Sequence, residues 1–390
     1  MSLPRSASAQ STAWASRADA AESAVVHRHI RRLCAIPWTR IGCVRWPVDV
    51  PSATFISWHY WWQAQLIDCA VDATVRDPTP ARRRRLGRLC RTPWIRNSVS
   101  RAGTGGWRRD FNDDMMWMAL ALERAIRLCG VRRPRGFDRM TAAIADGTDP
   151  ATGVLPWRRG GDFLNAPTNG PAAILCARLG WIDTAEMLCD WLDATLRDPQ
   201  TALIHDGIRN GVLVEDYYTY CQGAVLGAET ERAAHTGKGT RLQAMHGERV
   251  ARLLEAVSTG MCTGGVIHGA GGGDGGLFAG ILARYLAAVA CDLPDAVPDA
   301  DLLRSTAANL VLTSAEAAWG NRIEFDGEPL FGHDWAIPAV VPAALFRPDD
   351  PSARVAERDL SVQLSGWMLM EAAARVDEVV PGYGAGTGGG

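Results

Sequence analysis

Long and short connections alternate along this chain, and that alternation limits its fold more than any single motif. About twelve segments carry helical apolar spacing, at roughly 17–35, 57–77, 79–91, 112–129, 135–146, 168–180, 182–197, 217–234, 239–260, 275–292, 297–320 and 358–379. The connections before the second, fourth, sixth, eighth, tenth and twelfth segments are long and rich in Gly, Pro and aromatic residues. Short turns follow these segments, such as Asp77-Pro78, Gly130 to Pro134, Gly180-Trp181 and Leu293 to Val297. Alternating β-branched runs are almost absent, so strands should be minor. Helical hairpins joined in this way bury their apolar faces best by closing into a ring. The expectation is an all-α (α/α)6 barrel of six hairpins, with a generic helical array as the competing reading. The barrel would be one domain over 15–380, between a flexible N-terminus at 1–14 and a disordered Gly-rich tail at 381–390. Its long loops and inner-helix N-termini would gather at one mouth, where polar groups are cheapest to place.

Composition narrows what that mouth can do. Hydrophobic residues make up 47% of the chain, charged residues 22%, and the formal charge is −2, which gives no general field for nucleic acid. The ten cysteines form no CxxC and lie mostly in apolar, Ala-rich stretches, so they read as reduced thiols and not as a zinc site or a disulfide framework. The eight histidines form no HExxH array. GAGGGDGG at 269–276 lacks the strand–loop–helix setting of a nucleotide cradle, and its glycines would instead let backbone pass close to a bound sugar. His268 is the histidine nearest that loop. No metal and no cofactor is expected. The N-terminus has no apolar signal core, and the apolar stretch WAIPAVVPAALF is short and carries two prolines. These features predict no transmembrane segment and a cytoplasmic location. RRRR at 82–85 reads as the solvated face of an outer helix, with contact to an anionic lipid or glycolipid surface as the alternative.

The six inner-helix starts read WHYWWQAQ, FNDDMMWMALALERA, NAPTNGPAAI, EDYYTYCQGAVLGA, GGGDGGLFAGILARYL and ERDLSVQLSGWM. Paired amides, acids, Tyr and Trp precede each small-residue helix, a mixture that suits vicinal hydroxyls and the C–H face of a sugar. Asp113 and Asp114 stand out. Neighbours on a helix point about 100° apart, so the two carboxylates can flank one bond with oxygens roughly 5–6 Å apart, the separation of a retaining glycosidase. On spacing alone Asn-Asp-Asp is equally a capping sequence, and the five similar loops at the same mouth favour chemistry. A DDxxD magnesium motif is excluded, because Trp117 occupies the place of its third acid.

FNDDMMWMALALERA, GVLPWRRGGDFLNAPTNGPAAILCARLG, DYYTYCQGAVLGA and GGGDGGLFAGILARYL together resemble glycoside hydrolase family 76, the endo-α-1,6-mannanases. The similarity runs in order over about residues 15–380. It implies the (α/α)6 barrel and retaining hydrolysis of internal α-1,6-mannosidic bonds without a metal. On this resemblance Asp113 would be the nucleophile and Asp114 the general acid/base. Asn165, Thr168, Asn169, Tyr218, Gln222 and Asp274 would line the sugar groove, with Trp61, Trp62, Gln63 and Trp117 as further candidates. Cys221 departs from the family, which usually has Asn there, and a thiol cannot supply an amide's donor and acceptor. The implied partner is α-mannan, a manno-oligosaccharide or a mannose-containing glycolipid. An idle carbohydrate-binding barrel, or a hydrolase or transglycosylase acting on another sugar, are the alternatives.

Overall fold

The computed structural model describes residues 6–98, 106–149, 151–342 and 355–379, so residues 1–5 and the Gly-rich tail lie outside the described residues. Its helices are α1 (Ser6–His29), α2 (Val50–Ala53), α3 (Tyr60–Arg76), α4 (Pro80–Leu89), α5 (Thr92–Ser98), α6 (Asn112–Cys129) and α7 (Phe137–Asp146). The second half adds α8 (Ala166–Arg178), α9 (Ile182–Trp191), α10 (Thr219–Ala234), α11 (Arg241–Gly260), α12 (Phe278–Asp292), α13 (Ala300–Gly320) and α14 (Leu360–Val379).

Helices α3, α6, α8, α10, α12 and α14 each pack on the next, and α14 returns to α3, so the ring closes. Each has an outer partner: α4 on α3, α7 on α6, α9 on α8, α11 on α10 and α13 on α12. The sixth pair joins the two ends of the chain, with α1 lying on α14. This is the expected (α/α)6 barrel. Inner helices are buried on nearly every side, and small residues allow them to approach closely. A Cβ on Gly280 would sit 2.6 Å from Ser365 Cα on α14, and one on Gly223 would sit 2.9 Å from Leu282 Cα on α12.

The ends of the helices follow local chemistry. Gly130, at φ 65°, stops α6 in the left-handed conformation that glycine adopts without strain. The N-terminal helix departs from the expected 17–35: it begins at Ser6 and leaves the helix at Ile30. There Ile30 and Arg31 pair antiparallel with Gly42 and Ile41, a choice made by partners twelve and ten residues away and invisible to local spacing. Helix α5 was not expected. Among the described residues one segment, Gly273–Asp292, is long and apolar enough to cross a membrane by length and composition. Here it is 72% buried, with α12 inside the ring.

At the end of the ring opposite the loops, buried charges are paired. Arg284 bonds Asp68 at 2.9 Å and Asp72 at 3.1 Å, and Arg124 bonds the same two carboxylates. Burial raises the proton affinity of Asp72, but the two guanidiniums more than offset this and hold it below the usual carboxylate range.

Candidate active site

The outer helices α4 and α11 begin with threonine caps, Thr79 and Thr240, whose hydroxyls accept first-turn amides. The inner helices α3, α6, α8, α10 and α12 have no capping side chain at the N-cap. Their amide side chains, one turn further in, hold the long loops instead. Gln63 accepts from Gly42 N at 2.8 Å and donates to Gly42 O and Trp58 O. Asn169 accepts from Leu155 N and donates to Leu155 O, each at 2.9 Å, and also donates to Asn165 O. Gln222 accepts from Ile204 N and donates to Ile204 O, each at 2.8 Å. All three are buried, so the structure spends these expected sugar contacts on the backbone. Thr168 and Asn165 are also buried, the Thr168 hydroxyl donating to Asn165 Oδ1 at 2.6 Å.

Freed from capping, Asp113 and Asp114 occupy the first turn of α6 at the mouth. The N-cap is Phe111, and Asn112 anchors the start through its amide N to Trp157 O and its side chain to Pro156 O, both at 2.8 Å. The Trp157 indole donates to Asp113 Oδ2 at 3.0 Å, while Asp113 Oδ1 is buried with no hydrogen-bond partner. Asp114 lies 3.7 Å from Arg109, whose guanidinium also sits over the Tyr60 ring. Burial, then the neighbouring Asp114, push the Asp113 carboxyl well above its usual range. Trp157 and the first-turn amides oppose this. Asp114 rises to about 6, through burial and despite Arg109. Two crowded carboxyls that cannot both ionise cheaply share a proton near neutrality, which is how an acid and a nucleophile coexist.

The rest of the mouth is aromatic. Trp61 and Trp62 both donate their indole N–H groups to Asp274 Oδ1, at 2.8 and 2.7 Å, so Asp274 is tied to the start of α3. His59 stacks on Trp62 with centroids 4.3 Å apart. Tyr220 stacks on Phe278 at 4.0 Å, and Tyr218 meets the same ring edge-on at 5.5 Å. Beside them a side pocket of about 260 Å³ is lined by Tyr218, Phe278, Met261 and His268. Trp117 is not part of this wall. One turn deeper than Asp113, it is buried among the core residues. Several glycines at 269–276 are packed closely against protein: a Cβ on Gly269 would sit 2.1 Å from His333 O and one on Gly275 2.1 Å from Ala270 O, whereas Gly271 and Gly273 have open space and positive φ, and Gly273 N donates to Asp359 Oδ2.

Four half-buried groups at the mouth went unread as site residues: Arg109, Trp157, Tyr220 and Asp206. Trp157 carried a signal in its GVLPW segment, whereas Arg109 and Asp206 carried none. Burial raises Asp206 to about 6, and its Oδ1 lies 3.8 Å from the Cys221 thiol. Cys221 is itself fully buried, so this position faces Asp206 and not solvent.

Glycosyl hydrolase family 76 matches residues 18–339. The chain belongs to that family. The family 76 α-1,6-mannanase of Salegentibacter sp. HEL1_6 is 27% identical with a TM-score of 0.76, over 93% of this chain and 99% of that one. An inactive variant of the same enzyme, with two consecutive aspartates replaced by asparagine, is in complex with α-1,6-mannotriose. It is 26% identical over the same shares, with the same TM-score. Dfg5 from Chaetomium thermophilum, in complex with glucosamine, is 17% identical over 82% of each chain with a TM-score of 0.65, and shares the fold. No curated protein matches the chain. Membership of the family establishes a glycoside hydrolase.

Proposed function

We propose that this member of family 76 cleaves internal α-1,6-mannosidic bonds with retention, through Asp113 and Asp114. The observation that carries the reading is the buried, unpartnered Oδ1 of Asp113 beside a second carboxyl of raised proton affinity. Three structures of one neighbour, an α-1,6-mannanase 25–27% identical to this chain, support the linkage, two of them in complex with α-1,6-mannotriose or α-1,6-mannotetrose. The inactivity of a variant changed at two consecutive aspartates supports the pair.

In this mechanism Asp113 Oδ1 attacks the anomeric carbon while Trp157 holds Oδ2 in place. Asp114 gives its proton to the departing glycosidic oxygen, leaving a glycosyl ester on Asp113. Asp114 then takes a proton from water, whose oxygen attacks the anomeric carbon and frees Asp113. Burial favours the proton on Asp113 and Arg109 favours charge on Asp114, the reverse of what the attack requires. Positive charge developing at the anomeric carbon lies against Asp113 and draws the shared proton to Asp114. Asp274, Trp61, Tyr218 and Tyr220 offer a carboxylate and ring faces to the sugars around the bond. All ten cysteines are free, which suits a reducing compartment and supports a cytoplasmic site of action.

Chemical rescue tests the roles. With azide as an external nucleophile, Asp114→Ala should release α-mannosyl azide and Asp113→Ala should release the β-anomer. The opposite stereochemistry would exchange the two roles. First-formed β-mannose from the unaltered enzyme, read by NMR, would rule out retention.

A further inference from the structure

The arginine run divides in two. Arg82 and Arg85 turn inward onto Glu22, Arg85 bonding its Oε1 and Arg82 its Oε2. Arg84 turns outward and joins Arg31, Arg32, Arg40 and Arg88, with the Glu22-paired Arg85 at their side, in lining a cleft of about 500 Å³ between α4 and the end of α1; the five others are the ones left to solvent. No acidic residue lines that cleft, and among the described residues none of these five guanidiniums is within ion-pair distance of a carboxylate. Arg91, two residues beyond the end of α4, continues the basic face, and its side chain donates to Trp38 O at 3.2 Å.

Beside the arginines stands an apolar tip. Trp38 is 70% exposed and Ile36 is 40% exposed, with Pro37 between them also exposed. The backbone that displays them is held under strain: Cys34, Ala35 and Trp38 have φ values of 43°, 60° and 64°, in the left-handed region that costs non-glycine residues energy. Thr39 locks this loop, accepting from Leu33 N at 3.1 Å and donating to Ile36 O at 2.6 Å. Arg40 N is bonded to Thr92 Oγ1 at 2.9 Å, and the Arg88 guanidinium lies 5.3 Å from the centre of the Trp38 ring. A solvated loop has no reason to spend strain on exposing a tryptophan and an isoleucine. An interfacial anchor does, because Trp settles at the headgroup level while arginines engage the phosphates.

We infer that the loop 33–39 and the outer arginines of α4 form a docking surface for an anionic lipid bilayer. With a net charge of only −2 on the whole chain, the attraction is local to this face. The following strand carries Gly42, which both ends of the Gln63 amide hold at the start of α3. The anchor is thereby tied to the helix whose Trp61 and Trp62 hold Asp274, so docking would set the mouth relative to a membrane-borne glycan. Only that consequence rests on the proposed hydrolase reading; the docking itself does not.

Cosedimentation of the full chain with vesicles tests it, comparing equal parts phosphatidylcholine and phosphatidylglycerol with phosphatidylcholine alone. Binding is expected only to the mixed vesicles. The double variant Arg32→Gln/Arg84→Gln should weaken it roughly thirtyfold, at about 1 kcal/mol per arginine. Trp38→Ala should weaken it roughly tenfold, and because the residue is exposed the fold should survive. Cleavage of soluble α-1,6-mannotetraose should be unchanged in these variants, and docking without any cleavage would fault the hydrolase reading alone. Binding to neither vesicle, or equal binding to both, overturns the proposal. So does tight binding to duplex DNA that ignores Trp38, which would make the face a general polyanion site.

Discussion

Above a pH of about 6, Asp114 must carry its charge where burial and Asp274 disfavour it, with Arg109 the one opposing group. A carboxyl whose folded pKa is raised stabilises the fold most at low pH, and that contribution is lost as pH rises through the folded value. Asparagine does not titrate, so Asp114→Asn should be the more stable protein above pH 6, by about 2 kcal/mol. The difference should shrink towards pH 4, and thermal melts across that window read it. A constant difference at all pH values would mean that Asp114 is not held at the raised value. Trp157 acts in the opposite sense, favouring charge on Asp113. Trp157→Phe keeps the ring and loses the N–H donor, so kcat should fall roughly tenfold to a hundredfold. An unchanged kcat would show that the indole positions nothing.

Individual helices show which features a sequence reveals. The limits of α6 coincide with the expected 112–129, because acids mark its first turn and Gly130 its end. The end of α1 was hidden because Ile30 answers to Ile41 and Gly42, not to its own neighbours. The backbone partners of the inner amides were hidden for the same reason. Gln63, Asn169 and Gln222 have the chemistry of sugar ligands, but their partners are backbone groups of Gly42, Leu155 and Ile204, which no side-chain pattern announces. Gln222→Leu should therefore leave Ile204 N and O unpaired and cost about 2 kcal/mol or more of stability. A denaturant titration reads that loss; full stability combined with a raised KM would restore Gln222 to the sugar groove. Asp113 and Asp114 were legible because neighbouring acids at a helix start are conspicuous in one dimension. Arg109 and Asp206 reach the mouth only through the course of long loops.

Across the whole molecule, the two ends of the ring treat their charged groups in opposite ways. At the mouth, carboxyls sit close together and short of partners. At the far end, Asp68 and Asp72 are each bonded by both Arg124 and Arg284. Removing one partner there strands a buried charge, so Arg284→Met should cost about 3 to 5 kcal/mol. The depressed pKa of Asp72 places its stabilising contribution above the ordinary carboxylate range, to be lost as pH falls through the lower folded value. That division of the ring makes the Asp113–Asp114 pair the centre of the account. The most direct measurement of it is the rate at which new reducing ends form from α-1,6-mannan with the unaltered enzyme, Asp113→Asn and Asp114→Asn. Each variant should stay folded and lose nearly all turnover, because an amide can neither attack nor donate the proton. Near-normal turnover in either folded variant would contradict the account.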